Sequence, residues 1–303
     1  MTTATCWIVT PVLRDVESFQ RLRHEVGRTV GDTLVRFVVV DDSAGVDAEM
    51  ADLEGLDDVE VLTPPFNLGH QRAIVFGLRS LVRRVADDDI VVTMDADGED
   101  QPADVHRLVG ALLEGGMPLA IARRTSRTES LRFRVMYVFF RLLFRALTGT
   151  TVRSGNFAAQ RARSLVATID HPSFDLCYSS TLLALPRPTA HVPCARGHRF
   201  AGRSRMSPYG LIAHGIRMML PYSERIAVRA FILATVSGAG LAAATVALGL
   251  GVFGSEPGAD AAALFIGLGS VFLTSLVGVV VLFSGFAQAS AVAMKGIVPP
   301  TRQ

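Results

Sequence analysis

The chain is short of cysteine, of charged residues and of net charge. Its three cysteines in 303 residues, Cys6, Cys177 and Cys194, are an odd number with no paired spacing. That excludes a disulfide framework and fits reduced thiols. His191, Cys194 and His198 lie close together, but no second close-spaced pair completes a tetrahedral zinc set. A formal charge of +2 is too small to mark a nucleic-acid binder, although it is compatible with a locally basic face against anionic lipid. Only 19% of the residues are charged and mean hydropathy is +0.36, too apolar for an ordinary soluble protein. The start, Met1-Thr2-Thr3-Ala4-Thr5, has no basic residue and no cleavable apolar stretch. Nothing there directs the first 220 residues across a membrane, so a cytoplasmic location is expected for them.

Charge is missing most conspicuously near the end. No charged residue occurs from Ala230 to Gly254 or from Ala261 to Met294, and each stretch exceeds the ~20 residues that cross a bilayer as a helix. This predicts a transmembrane hairpin with spans at about 228–252 and 262–286. Arg217, Arg225 and Arg229 precede the first span, and Lys295 and Arg302 follow the second, while the loop Gly254–Asp260 carries only acids. Positive charge marks the inner side, so the expectation is an integral inner or plasma membrane protein with both termini cytoplasmic. The small residues Ser237-Gly238-Ala239-Gly240 permit close helix packing within the hairpin or in a homo-oligomer.

What is present begins as a repeating pattern. Apolar strands at Thr5–Val12, Val35–Asp42, Val59–Leu62, Ile90–Thr93 and Leu119–Ala122 alternate with stretches whose apolar residues recur at helical spacing, such as Val16, Phe19, Leu22 and Val26. Such alternation predicts an α/β fold with a mainly parallel, doubly wound sheet. Ligands in these sheets sit beyond the carboxyl ends of the strands. That places Thr10 and Pro11, Asp41 and Asp42, and Asp95 with Asp97 at one rim.

Residues 130–147 mix Phe133, Phe139, Phe140 and Phe144 with Arg132, Arg134, Arg141 and Arg145. This suits an amphipathic helix in a membrane interface, or a core helix with solvated arginines. A second amphipathic stretch, Pro208–Leu220, leads into the first span. The expected division is therefore a catalytic unit at 1–206, a juxtamembrane helix at 207–225 and the hairpin with its tail at 226–303.

Asp95-Ala96-Asp97 puts two carboxylates on alternate residues at a strand end. Mg²⁺ is held in this way, by one or two carboxylates completed by substrate phosphates and water. Gly98 relaxes the backbone where the chain turns, and Asp100 is placed to cap the helix after Pro102.

The ordered series Pro11-Val12, Val40-Asp41-Asp42-Ser43, Asn67-Leu68-Gly69-His70-Gln71-Arg72-Ala73, Met94-Asp95-Ala96-Asp97-Gly98-Glu99-Asp100-Gln101-Pro102 and Ser154-Gly155-Asn156-Phe157 resembles the family 2 glycosyltransferases. Within them it is similar to the polyprenyl-phosphate group, which contains dolichol-phosphate mannose synthase and the bactoprenol glucosyltransferases. The resemblance implies a GT-A, Rossmann-like fold and inverting transfer of a hexose from UDP- or GDP-hexose to polyprenyl phosphate on the cytoplasmic leaflet, with Mg²⁺ or Mn²⁺. Membrane lipid, and a flippase or downstream transferase, are the further partners it implies.

The resemblance also assigns residues. It makes Thr10, Pro11, Asp15, Asp41 and Asp42 nucleotide contacts, with Asn67, Gly69 and Gln71 in the loop and helix start beside them. Asp95, Ala96 and Asp97 become the diphosphate and metal site, Asp97 the principal ligand and Asp95 the second. Arg123 or Arg124 falls near the phosphates; the alternative for this pair is a solvated loop. Arg199 and Arg205 are candidates for clamping a phosphate. His70 is read as a helix-start residue and not as a general base.

Relatives carry an acid where this chain has Asn156, and Arg14-Asp15 where they commonly carry Asn-Glu. A phosphate monoester, with a second pKa near ~6, needs little help losing a proton, so an amide at 156 suffices to orient it. Two alternatives stay open: a family 2 enzyme with another membrane or envelope acceptor, and a lapsed nucleotide-sugar-binding scaffold.

Overall fold

The computed structural model describes residues 4–29, 33–125, 131–152, 155–201 and 208–249, with scattered positions between 258 and 284. In chain order the elements are β1 (Cys6–Val12), α1 (Val16–Thr29), β2 (Val35–Asp41), β3 (Val59–Leu62), α2 (His70–Leu81), β4 (Ile90–Thr93), α3 (Val105–Glu114), β5 (Leu119–Arg124), α4 (Leu131–Thr148), β6 (Ala158–Arg161), α5 (Ala162–Val166), α6 (Tyr178–Ala184), β7 (Thr189–Cys194), α7 (Pro208–Met219) and α8 (Ser223–Gly249).

Among the described residues one seven-stranded sheet runs in the order β3-β2-β1-β4-β6-β5-β7. The pairings β3–β2, β2–β1, β1–β4 and β5–β7 are parallel. β6 is antiparallel to both β4 and β5 and is the one reversed strand among the described residues, so the sheet is mixed but mainly parallel, as expected.

Strand side chains alternate between faces, and both faces of this sheet are covered, which explains the unbroken apolar runs. On one face Ile8, Phe37, Val39 and Val92 meet Phe19, Leu22 and Val26 of α1 and Leu108 and Leu112 of α3. On the other, Val9, Val38, Val40 and Val91 meet Ile74, Leu78 and Leu81 of α2, Leu165 of α5 and Tyr178 of α6. β1 and β2 thus end side by side at the rim, with β4 on the other side of β1.

A third cluster joins Phe144 of α4, Met218 of α7, Tyr222, Ile226 of α8 and Cys177. The first expected span coincides with α8. Yet no helix among the described residues is long and apolar enough to cross a membrane. This overturns the expected transmembrane hairpin and the integral, two-span location built on it. The physical reason lies in α8 itself. A stretch without charge is not thereby a span: Thr, Ser and Gly interrupt this one and its first turns carry Glu224, Arg225 and Arg229, while Ile226 and Ala230 are buried. Most of the second expected span, at about 262–286, and the tail lie outside the described residues.

Candidate active site

β2 ends in two acids with different tasks. Asp41 folds its own turn, its Oδ1 accepting from Ser43 N–H at 2.9 Å and its Oδ2 from Gly45 N–H at 2.8 Å. Asp42 reaches across to the next loop, where Oδ1 accepts from Leu68 N–H (2.9 Å) and Gly69 N–H (3.1 Å), while Asn67 Nδ2 donates to the Asp42 carbonyl. Gly69 adopts φ 75, which only glycine takes readily, and the chain turns there into α2. Asp42, Asn67 and Gly69 are therefore together. Burial nonetheless pushes the Asp42 carboxyl up. Gln71 turns inward instead: its Oε1 accepts from Ser179 N–H at 2.9 Å and ties α2 to α6.

β4 delivers Asp95 to the centre. His70 Nε2 lies 3.0 Å from Asp95 Oδ1, and Asn156 Nδ2 donates to the same oxygen at 2.5 Å. Asn156 is set by its backbone, whose carbonyl accepts from Thr93 Oγ1; that hydroxyl also meets Tyr178 Oη at 3.0 Å. Burial works against a charged Asp95, but His70, Asn156 and Arg124 outweigh it and hold the carboxyl below its usual range. Against the same desolvation, Asp95 raises the pKa of His70.

Asp100 accepts from Asp95 N–H at 3.1 Å and from Arg124 Nη2 at 3.3 Å. It does not cap the helix after Pro102, where Gln101 occupies the cap position without a side-chain bond. Burial and the neighbouring Asp95 push its carboxyl up to about 7.

Asp97 Oδ1 accepts from Glu99 N–H at 3.0 Å, and Oδ2 lies 3.0 Å from Arg199 Nη2. Burial, then the charge of Asp95, raises its pKa. Between the two acids Ala96 is buried, and Gly98 turns the chain at φ 85.

Alternation along β5 separates the two arginine candidates: Arg124 faces Asp100, whereas Arg123 is exposed. Thr10 and Pro11 are buried at the end of β1, and Asp15 stands before α1, its carbonyl accepting from Phe19 N–H. Arg205 lies outside the described residues.

Three contributors escaped sequence reasoning. His70 opens α2, as the helix-start reading has it, and in addition its Nε2 contacts Asp95. Glu99 holds both Arg196 and Arg199, a pairing across about a hundred residues that leaves no local signal. His214 of α7 has its pKa lowered by burial and then by His70, which brings α7 to the same rim.

Among the described residues no group of three or more His, Cys, Asp or Glu converges on a metal position. Asp97 and Asp95 therefore offer a partial set of hard oxygen donors, the kind completed by phosphate oxygens and water around Mg²⁺ or Mn²⁺. Asp97 already faces one positive charge, the Arg199 guanidinium at 3.0 Å, so its carboxylate has the donor chemistry a cation would use but would suit one only with that guanidinium displaced.

The sequence pattern of glycosyl transferase family 2 matches residues 8–176. No curated protein matches the chain. Among solved structures, Mycobacterium tuberculosis glucosyl-3-phosphoglycerate synthase with Mn²⁺, UDP and glucosyl-3-phosphoglycerate is 20% identical, with 74% of this chain and 80% of that one covered and a TM-score of 0.50. The same enzyme with Mn²⁺, UDP-glucose and phosphoglyceric acid is 21% identical over the same shares, with a TM-score of 0.51. At this identity the likeness shows the fold, a Rossmann-like GT-A arrangement.

Proposed function

The chain belongs to glycosyl transferase family 2 and is thus a nucleotide-sugar-dependent glycosyltransferase; on that premise we propose that it moves a hexose from a nucleoside-diphosphate sugar to polyprenyl phosphate with inversion. The carrying observation is the Asp95–Asp97 turn at the end of β4, set between Arg124 and Arg199. For the donor, the fold neighbours' complexes with Mn²⁺ and UDP-glucose favour a uridine nucleotide. For the acceptor, the support is the exposed apolar surface of α4 and α7. Met136, Phe139 and Leu142, with Tyr209, Ile212 and Ile216, are exposed and suit an isoprenoid chain better than a small sugar acid.

In this reading Asp97 and Asp95 would hold Mg²⁺ or Mn²⁺ at the donor site. The cation, when bound, supplies charge stabilisation to the departing nucleotide. The chain's own residues do the rest. His70 and Asn156 keep Asp95 ionised and fixed. Arg124 and Arg199 present guanidinium forks to the phosphates. An acceptor phosphate oxygen forms the new bond to the anomeric carbon from the face opposite the nucleotide. The old bond to the β-phosphate oxygen breaks, and its electron pair leaves with the diphosphate. A dianionic phosphate needs no general base, so Asn156 in place of an acid is consistent with turnover.

Acceptor competition tests the proposal. Given UDP-glucose, Mn²⁺ and equal amounts of a short-chain polyprenyl phosphate and 3-phosphoglycerate, the protein is expected to label the lipid. Label in phosphoglycerate alone would overturn the acceptor and leave the transferase.

A further inference from the structure

The carboxylate assigned to the cation already faces a positive charge. Arg199 Nη2 lies 3.0 Å from Asp97 Oδ2 while its Nε donates to Glu99 Oε1 at 2.9 Å, so one guanidinium spans two acids. Arg196 Nη2 takes the other Glu99 oxygen. Backbone bonds fasten the same segment. Gly197 N–H donates to the Glu99 carbonyl at 2.9 Å and Phe200 N–H to the Asp97 carbonyl at 2.8 Å, and Gln101 Nε2 donates to the Ala195 carbonyl at 3.0 Å.

Two glycines permit the approach. A Cβ on Gly98 would lie 2.7 Å from the Phe200 ring, and one on Gly197 would collide with the Gly98 carbonyl oxygen. Arg21 of α1 covers the Phe200 ring from 4.3 Å. Residues 195–200 thus form a strap along the acidic turn.

A divalent cation and a guanidinium cannot both sit about 3 Å from one carboxylate oxygen without strong repulsion. A diphosphate beside them offers the displaced guanidinium a new bidentate partner. We propose that residues 195–200 are a metal-responsive strap, in which Arg199 covers Asp97 in the metal-free protein and turns to the donor diphosphate when a cation takes Asp97, with Glu99 as the pivot that keeps it within reach. This rests on the proposed role of Asp97 as metal ligand. Metal alone then binds weakly, because it must displace Arg199; metal with a nucleoside diphosphate binds tightly, because the guanidinium gains an anion. Glu99 is a positioning residue that acts through Arg199.

Mn²⁺ binding to the full chain, followed by electron paramagnetic resonance with and without UDP, tests this. Arg199→Met is expected to bind Mn²⁺ alone about tenfold tighter than wild type and Mn²⁺ with UDP about tenfold weaker, within the usual range of coupling between sites. Glu99→Gln is expected to weaken the UDP-dependent binding, and Arg199→Lys, which keeps the charge but not the fork, to fall between wild type and Arg199→Met. A purely structural role would move both affinities in the same direction. Unchanged or weaker binding of Mn²⁺ alone by Arg199→Met and Arg199→Lys overturns the strap. Asp97→Asn separates the two ideas: if it abolishes Mn²⁺ binding while the arginine variants change nothing, the metal ligand stands and the strap falls. If Asp97→Asn changes nothing, the metal assignment itself is wrong and the strap falls with it.

Discussion

Asn156 donates its amide to Asp95 Oδ1, a contact that an acid at this position would turn into two facing carboxylates. Asn156→Asp is therefore expected to cost about 1–3 kcal/mol of stability near neutral pH, the penalty for a lost charge-assisted bond and an unpaired buried group. The loss should shrink as the pH falls and one carboxyl takes a proton, which chemical denaturation at pH 7 and pH 5 would show. Two neighbours give the metal-free protein its own pH dependence. The Asp100 carboxyl, pushed up to about 7, contributes stability at low pH that is lost as the pH rises toward that value. His70, raised from 6.5, contributes stability below 6.5 that is lost as the pH rises through its higher folded value. The two act in the same direction, while His214, lowered from 6.5, acts oppositely only below that value, so thermal unfolding should come at a lower temperature at pH 8 than at pH 6.5, and His70→Gln should remove the part of that slope above 6.5. At this scale the placement of Asp95 and Asp97 just beyond the end of β4 was legible, because a strand ending in spaced acids has a local signature. The tasks of Asp100 and Glu99 were hidden, because Asp100 is set by Arg124 on another strand and Glu99 by arginines about a hundred residues away.

The elements were legible where burial on both faces writes itself as an apolar run, as in β1, β2 and β4. β6 was not, since Ala158-Ala159-Gln160-Arg161 has little strand character and is held by pairing with β4 and β5 on either side. Close packing also depends on single positions. A Cβ on Gly77 of α2 would lie 2.8 Å from both Val9 and Val40, in the face of the sheet that carries the rim. Gly77→Ala is expected to destabilise the domain by about 1–3 kcal/mol through overpacking, seen as a lower urea midpoint with an unchanged slope.

Across the whole molecule, the C-terminal third departs from the sequence expectation because a stretch without charge is not by itself a bilayer span. α4, α7 and α8 are instead joined to the catalytic unit through Phe144, Met218, Tyr222 and Ile226, and they leave an apolar, arginine-bearing outer surface. The rim of acids and this surface support the proposed reading of a metal-dependent transferase acting on an isoprenoid phosphate. The most direct measurement is transfer of labelled hexose from UDP-hexose into extracted polyprenyl phosphate in Mn²⁺, comparing wild type with Asp97→Asn. Wild type should form a lipid-linked sugar, and the variant should lose about 10²-fold or more of that rate, as when a transition-state charge loses its partner. Undiminished product from Asp97→Asn, or none from wild type with any hexose donor, would contradict it.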